Sequence, residues 1–188
     1  QNARTPFRLP RFEVLPTRAA LLDLPAVIGP ETLDTLAVGY ADVYLRHVYR
    51  AAPTESVWTT EDGLDRQGAM LDIRAEHRAH GLRMIDAAAR PEDHLVMQLR
   101  FIAELVAGPR ADPAAAARAL DAHLMRWIRP FASRLVHTGA PPMFAAIAVV
   151  TACYLDEARR HLAALTGVAV AEPIPLPDGK RSAGTPPA

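Results

Sequence analysis

Apolar residues recur at steps of three and four along most of this 188-residue chain, and prolines and glycines divide the stripes. Leu33, Leu36, Ala37, Tyr40, Val43, Tyr44, His47 and Val48 form the first of them. That spacing puts side chains on one face of a helix and does not suit a strand. Alternation at period two is confined to residues 168–171. A chain patterned this way builds its core by packing helix on helix, so we expect an all-α, single-domain helical bundle.

The punctuation gives the expected elements. Thr17 caps a short helix that Pro25 closes. The first long helix covers residues 30–51, and Pro53 stops it. Residues 53–64 are rich in polar and turn-forming types and read as a loop. A helix over 65–80 stops at Gly81. Pro91 suits the first turn of the next helix, which runs to residue 107 with Leu95, Leu99, Ile102, Leu105 and Val106 inward. Asp112-Pro113 starts a helix to residue 129; Pro130 kinks or closes it, and residues 131–137 make another short one. Pro141-Pro142 launch the last helix, ending near Thr166-Gly167. Residues 1–16 form an extended segment, 17–167 the helical domain, and 168–188 a disordered tail. The last expectation rests on five prolines and two glycines within residues 172–188.

Composition narrows the function. With 21 basic and 21 acidic side chains, the chain has no broad field for steering nucleic acid or an anionic membrane. The longest apolar run, residues 143–155, is shorter than the roughly 20 residues of a membrane span and reads as a buried core helix. Arg4, Arg8 and Arg11 are not followed by the apolar stretch of a secretory signal. One cysteine, Cys153, cannot form an internal disulfide, which fits a reducing compartment; on so apolar a helix it reads as a small core residue.

Chemistry-bearing residues are sparse. His77 and His80 share a helix face, but no third ligand stands at a familiar spacing, so no metal or cofactor is expected. Neither a nucleophile elbow nor a phosphate-cradling glycine loop is present. Asp93, at a helix start beside His94, reads either as a capping carboxylate or as an anchor for an arginine at a groove edge. His123 and Trp127 share a face, with the tryptophan as core and the histidine satisfying a backbone group as the simpler reading. Tyr40 and Tyr44 likewise read more simply as core than as site. Glu55-Ser56 precedes Trp58, which would pin its loop to the bundle.

In order, these segments resemble the TorD/DmsD family of chaperones for molybdoenzymes. The resemblance rests on Tyr40 and Tyr44, then Glu55-Ser56-Val57-Trp58, Gly81-Leu82, Pro91-Glu92-Asp93-His94 and His123-Leu124-Met125-Arg126-Trp127. Two positions depart from the family pattern: His77 replaces an aromatic residue, and Met143-Phe144-Ala145 lacks a Phe-Tyr pair. The resemblance implies a cytoplasmic, non-enzymatic binding protein with a TorD-like bundle. It would bind the twin-arginine leader and the apo catalytic subunit of a molybdopterin oxidoreductase, delaying export until the cofactor is inserted. It would be a monomer, or a homodimer formed by helix exchange.

Under that reading Glu55 and Asp93 take the guanidinium groups, while Trp58 and Tyr44 give flat contact area. Tyr40, Ser56, Pro91, His94, His123 and Trp127 complete the expected leader-binding set. One alternative is an assembly factor of the nitrate-reductase type, acting on a subunit without a leader. The other is an acid–base enzyme using Asp93, His94 and His123, which requires both histidines in one solvent-reachable pocket.

Overall fold

Caps and prolines set where the helices begin. The computed structural model describes residues 30–46, 48–84, 90–172 and 174–177. Its helices are α1 (Pro30–Tyr40), continued by a π turn (Ala41–Leu45), α2 (Glu55–Thr59), α3 (Gly68–Ala79), α4 (Leu95–Ala107), α5 (Pro113–Ala122), α6 (Leu124–His137) and α7 (Pro142–Thr166). Asp112 caps α5 by accepting from the Ala115 N–H at 2.9 Å. Pro113 follows at the position where a missing N–H costs nothing. Gly167 ends α7 at φ 73°, a left-handed conformation open to glycine without Cβ strain.

The 25-residue α7, about 37 Å long, is the spine. Helices α5 and α6 pack along it, α4 packs on α5, and α2 lies against α3 and α6. Leu120, Leu124, Ile128, Phe131, Leu135 and Leu155 fill the space between, and none is more than 1% exposed. Trp127 and Trp58 meet Phe131 edge-on, with ring centroids 5.8 and 6.4 Å away. Aromatic pairs in that geometry add about 1 kcal/mol each beyond their area. The chain is an all-α, single-domain bundle. Among the described residues, no helix is long and apolar enough to cross a membrane.

Several expected elements differ. The helix expected over 30–51 ends at Tyr40 and its π turn. Of the described members of its stripe, Val43 alone is buried, whereas Leu33 and Val48 are 55% and 56% exposed. Periodicity shows which face would be buried, not whether a neighbour covers it. Helix α1 meets the bundle near its C-terminal end. There Gly39 lies so close to Phe144 that an added Cβ would stand 2.8 Å from the ring.

The loop expected over 53–64 contains α2, because one helical turn buries Glu55, Ser56 and Trp58 together. The helix expected to run from 113 to 129 breaks instead at His123, with φ −122° and ψ −87°. Helix α6 then passes through Pro130, which leaves the Arg126 carbonyl without its helical donor. Helix α4 starts at Leu95, beyond Asp93; Leu105 is buried and Leu95, Leu99 and Ile102 pack half-buried against the core as expected, Gln98 and Phe101 join the buried side, and Val106 faces out at 43% exposure. Cys153 is half-buried on α7 rather than in the core.

After α7 the described residues form neither helix nor strand, yet the segment is held. Arg159 donates to the carbonyls of Val168 and Ala169, and Leu176 is 6% exposed. The expectations for residues 1–16, the short helix at 17–24 and residues 178–188 lie outside the described residues.

Candidate functional site

Residues on either side of Thr54 and His94 run side by side, joined as an antiparallel bridge. The Glu55 N–H donates to the Asp93 carbonyl at 3.1 Å, and the Leu95 N–H to the Pro53 carbonyl at 2.8 Å. Asp93 Oδ2 accepts from the Ser56 N–H at 2.9 Å and from Ser56 Oγ–H at 2.5 Å. Ser56 Oγ accepts in turn from the Gln67 N–H at 3.0 Å. Asp93 therefore caps α2 from outside its own helix and ties the two segments together. His94 takes the capping place on α4, its Nδ1 accepting from the Val96 N–H at 3.2 Å. Burial raises the Asp93 carboxyl above its usual range, against the opposing pull of the Ser56 hydrogen bonds. Burial, with Arg90 nearby, lowers the His94 imidazole.

Beneath this joint lies a buried charge cluster. Glu55, 0% exposed, accepts from Gln98 Nε2 at 3.0 Å and from His123 Nδ1 at 3.1 Å. Arg126 Nη1 stands 3.6 Å from Glu55 Oε1, and His123 Nε2 stands 3.4 Å from Glu76 Oε1. Burial alone would lower the His123 imidazole, but Glu55 and Glu76 outweigh it and raise its pKa to about 9. At neutral pH two carboxylates thus face an imidazolium and a guanidinium, and the unit is electrically balanced. It joins α2, α3, α4 and α6, and His123 enters it from the break between α5 and α6. A bidentate pair, Arg74 to Glu92 at 2.7 and 3.1 Å, adds a second tie between α3 and the turn before α4.

Above the joint opens a cleft of about 850 Å³. Tyr40, Tyr44 and Leu45 form one wall, and Pro53, Thr54 and Val57 contribute from the α2 segment. Leu64, Glu61 and Asp65 come from the following loop. Arg50, Arg66, Arg90 and Arg134 also line it, with Pro91 and His94. Tyr40 and Tyr44 meet at a tilt of 47° with centroids 5.1 Å apart, and Phe144 meets both edge-on. Burial, then the neighbouring Tyr40, raises the Tyr44 hydroxyl. Arg134 lies over the Trp58 ring at 5.3 Å.

The expected leader-binding residues divide into three sets. Tyr40, Tyr44, Pro91 and His94 line the cleft. Glu55, Ser56, Asp93 and His123 lie below it, each at most 7% exposed. Trp58 and Trp127 belong to the core. Glu55 and Asp93, expected to receive guanidinium groups from outside, are turned inward and engaged by the chain's own donors. Sequence reasoning did not single out Arg50, Arg66, Arg134, Thr54, Glu61 or Asp65 as cleft residues, nor Glu76 as a partner of His123, nor Gln98 as a partner of Glu55. These come from separate segments and share no spacing. Among the described residues, no group of three or more metal-ligating side chains is placed to hold an ion.

The family profile described as nitrate reductase delta subunit matches residues 15–133, more than half of the chain. The chain belongs to that family. It is similar to proteins named chaperone protein TorD from two strains of Vibrio cholerae serotype O1. Each is 29% identical over 137 residues, covering 68% of this chain and 62% of the relative. The chain thus matches less than two thirds of the length of these curated relatives. No solved structure matches it. The TorD/DmsD resemblance carried by short motifs is shown at the level of the family, and all ten expected site residues fall inside the matched span.

Proposed function

We propose that this chain is a non-catalytic assembly chaperone for the catalytic subunit of a molybdopterin oxidoreductase. It holds an extended segment of the apo-subunit in the cleft until the cofactor is in place. The observation that carries this reading is the cleft itself. A wall of tyrosine and leucine faces charged side chains of both signs, over a floor braced by buried hydrogen bonds. A peptide with apolar and charged residues finds both kinds of contact there. The similarity to chaperones named TorD supports the same role.

A twin-arginine leader would lay its guanidinium groups on Glu61 and Asp65, the carboxylates that line the cleft, rather than on Glu55 and Asp93. A segment of a leaderless subunit is the second reading, favoured by the arginines that outnumber those carboxylates. The acid–base enzyme reading loses its geometry: His94 lines the cleft, while His123 lies outside that lining, 7% exposed between two carboxylates.

Co-expression with a molybdopterin oxidoreductase catalytic subunit from the same genome, followed by native mass spectrometry, tests the proposal. A one-to-one complex with apo-subunit that disperses once the cofactor is loaded is the expected result. Retention of that complex after deletion of the leader selects the second reading. No complex with either form of the subunit would sink the proposal.

A further inference from the structure

Arginine reaches the cleft from four places in the chain. Arg50 follows the π turn, Arg66 lies in the loop before α3, Arg90 precedes α4, and Arg134 projects from α6. Only Glu61 and Asp65 oppose them in the lining, so the cleft is positive although the whole chain is neutral. Among the described residues, no carboxylate forms an ion pair with Arg50, Arg90 or Arg134. Arg74, Arg126, Arg129, Arg159 and Arg160 each meet a carboxylate of this chain, whereas Arg78, Arg100 and Arg118, exposed on helix faces away from the cleft lining, are unpaired among the described residues like the cleft arginines.

Two residues of the lining also carry a buried polar atom without a partner. Thr54 lines the cleft at 5% exposure, and its hydroxyl has no hydrogen-bond partner. Arg134 Nε is buried and equally without one, although Nη1 donates to the Arg50 carbonyl at 3.3 Å. A buried polar atom without a partner costs stability and is uncommon in a folded protein. Arg50 and Arg66 also hold φ of 50° and 58°, in a region that disfavours residues with a Cβ. Strain of that kind gathers at binding sites.

We propose that the arginine wall of the cleft is a carboxylate subsite, and that the client segment it takes is an extended peptide with acidic side chains between apolar ones. This rests on the chaperone reading and specifies its ligand. The acidic groups lie against Arg50, Arg90 and Arg134, and the Thr54 hydroxyl donates to a peptide carbonyl or carboxylate. Apolar side chains meet Tyr40, Tyr44 and Leu45. Charge-assisted hydrogen bonds to guanidinium groups give the selection, and the tyrosines give the area.

The test uses the full chain and three labelled peptides of about 12 residues, roughly 40 Å when extended. One alternates leucine and valine with glutamate, the second has glutamine for glutamate, and the third carries an arginine pair. Binding is read by fluorescence anisotropy at low and high salt. The acidic peptide should bind about tenfold more tightly than its glutamine counterpart, and salt should erode the difference. The double variant Arg50→Asn, Arg90→Gln should remove that preference. Both side chains are exposed, and asparagine tolerates the left-handed backbone at position 50. Circular dichroism checks that the variant stays helical. The inference is overturned by equal binding of the acidic and glutamine peptides, or by a preference that survives in the folded double variant. Tighter binding of the arginine-pair peptide overturns it as well. Capture of the client subunit without any acidic preference defeats this inference and leaves the chaperone proposal standing.

Discussion

His123 and Arg159 each carry a positive group into the interior, at 7% and 1% exposure, and each meets carboxylate there. Arg159 clasps Asp121 with two bonds of 2.7 Å and spends its remaining donors on the Val168 and Ala169 carbonyls. A guanidinium has no proton to give up at working pH, so this clamp is a fixed joint between α5, α7 and the segment after α7. His123 sits between Glu55 and Glu76 below the cleft, and its charge is conditional. The two clusters show how similar burial can give a permanent fastening in one place and a titratable one in another. The titratable one lies under the proposed binding surface.

Removing the carboxylate at the centre of the lower cluster should have the largest effect. Glu55→Ala leaves His123, Arg126 and Gln98 facing a void, and a broken buried ion pair costs about 3–5 kcal/mol. Urea denaturation of this variant should show a loss of that size, with most of the cost in the α2–α6 joint. A loss under about 1 kcal/mol would mean that water already reaches the cluster.

The next test is pH. The imidazole has a pKa of about 9 in the folded chain, against roughly 6.5 when unfolded. Its folded value is raised, so its contribution is fully present below about 6.5 and is lost as pH climbs through about 9. The loss should be on the order of 3 kcal/mol across that window. Stability profiles of the native chain and of His123→Gln should differ by this alkaline slope. Parallel profiles would remove the imidazolium from the account. Lowered pKa values at His77 and His94 act on the other limb, opposing folding as those rings take up protons in acid.

Arg159→Met should cost less, about 2 kcal/mol, because Asp121 is 12% exposed and water partly replaces the lost partner. It should also increase amide exchange at Ala171, whose N–H bonds Asp121 Oδ2 at 3.2 Å, while leaving the pH slope intact. A changed slope would couple the two clusters. Arg129→Gln should do least. That side chain is 66% exposed and pairs with Asp156 on the surface, so the thermal midpoint should move by no more than about 0.5 kcal/mol implies.

Much of the fold was legible because helix ends are local. Asp112-Pro113, Pro142 and Gly167 announce their roles through one or two residues. The break at His123 was not legible, since the carboxylates that meet the imidazole there, Glu55 and Glu76, lie 68 and 47 residues earlier in the chain. The exposure of α1 was hidden for a related reason: an apolar stripe carries no record of which partner covers it. At the candidate site, Glu55, Asp93 and His123 stood out as polar residues beside apolar helices. Their inward direction did not, because a carboxylate at a helix start has the same local sequence whether it faces solvent or a neighbouring loop. The arginines of the cleft had no signature at all, being brought together only by the tertiary fold.

Hydrogen–deuterium exchange on the chain alone and in complex with a molybdopterin oxidoreductase catalytic subunit tests the central claim most directly. A client seated in the cleft slows exchange in residues 50–66 and 90–94, on both sides of it, and leaves the amides in the middle of α7 unchanged. Slowed exchange confined to α7 and the segment after it, with cleft amides exchanging as in the free chain, would contradict it.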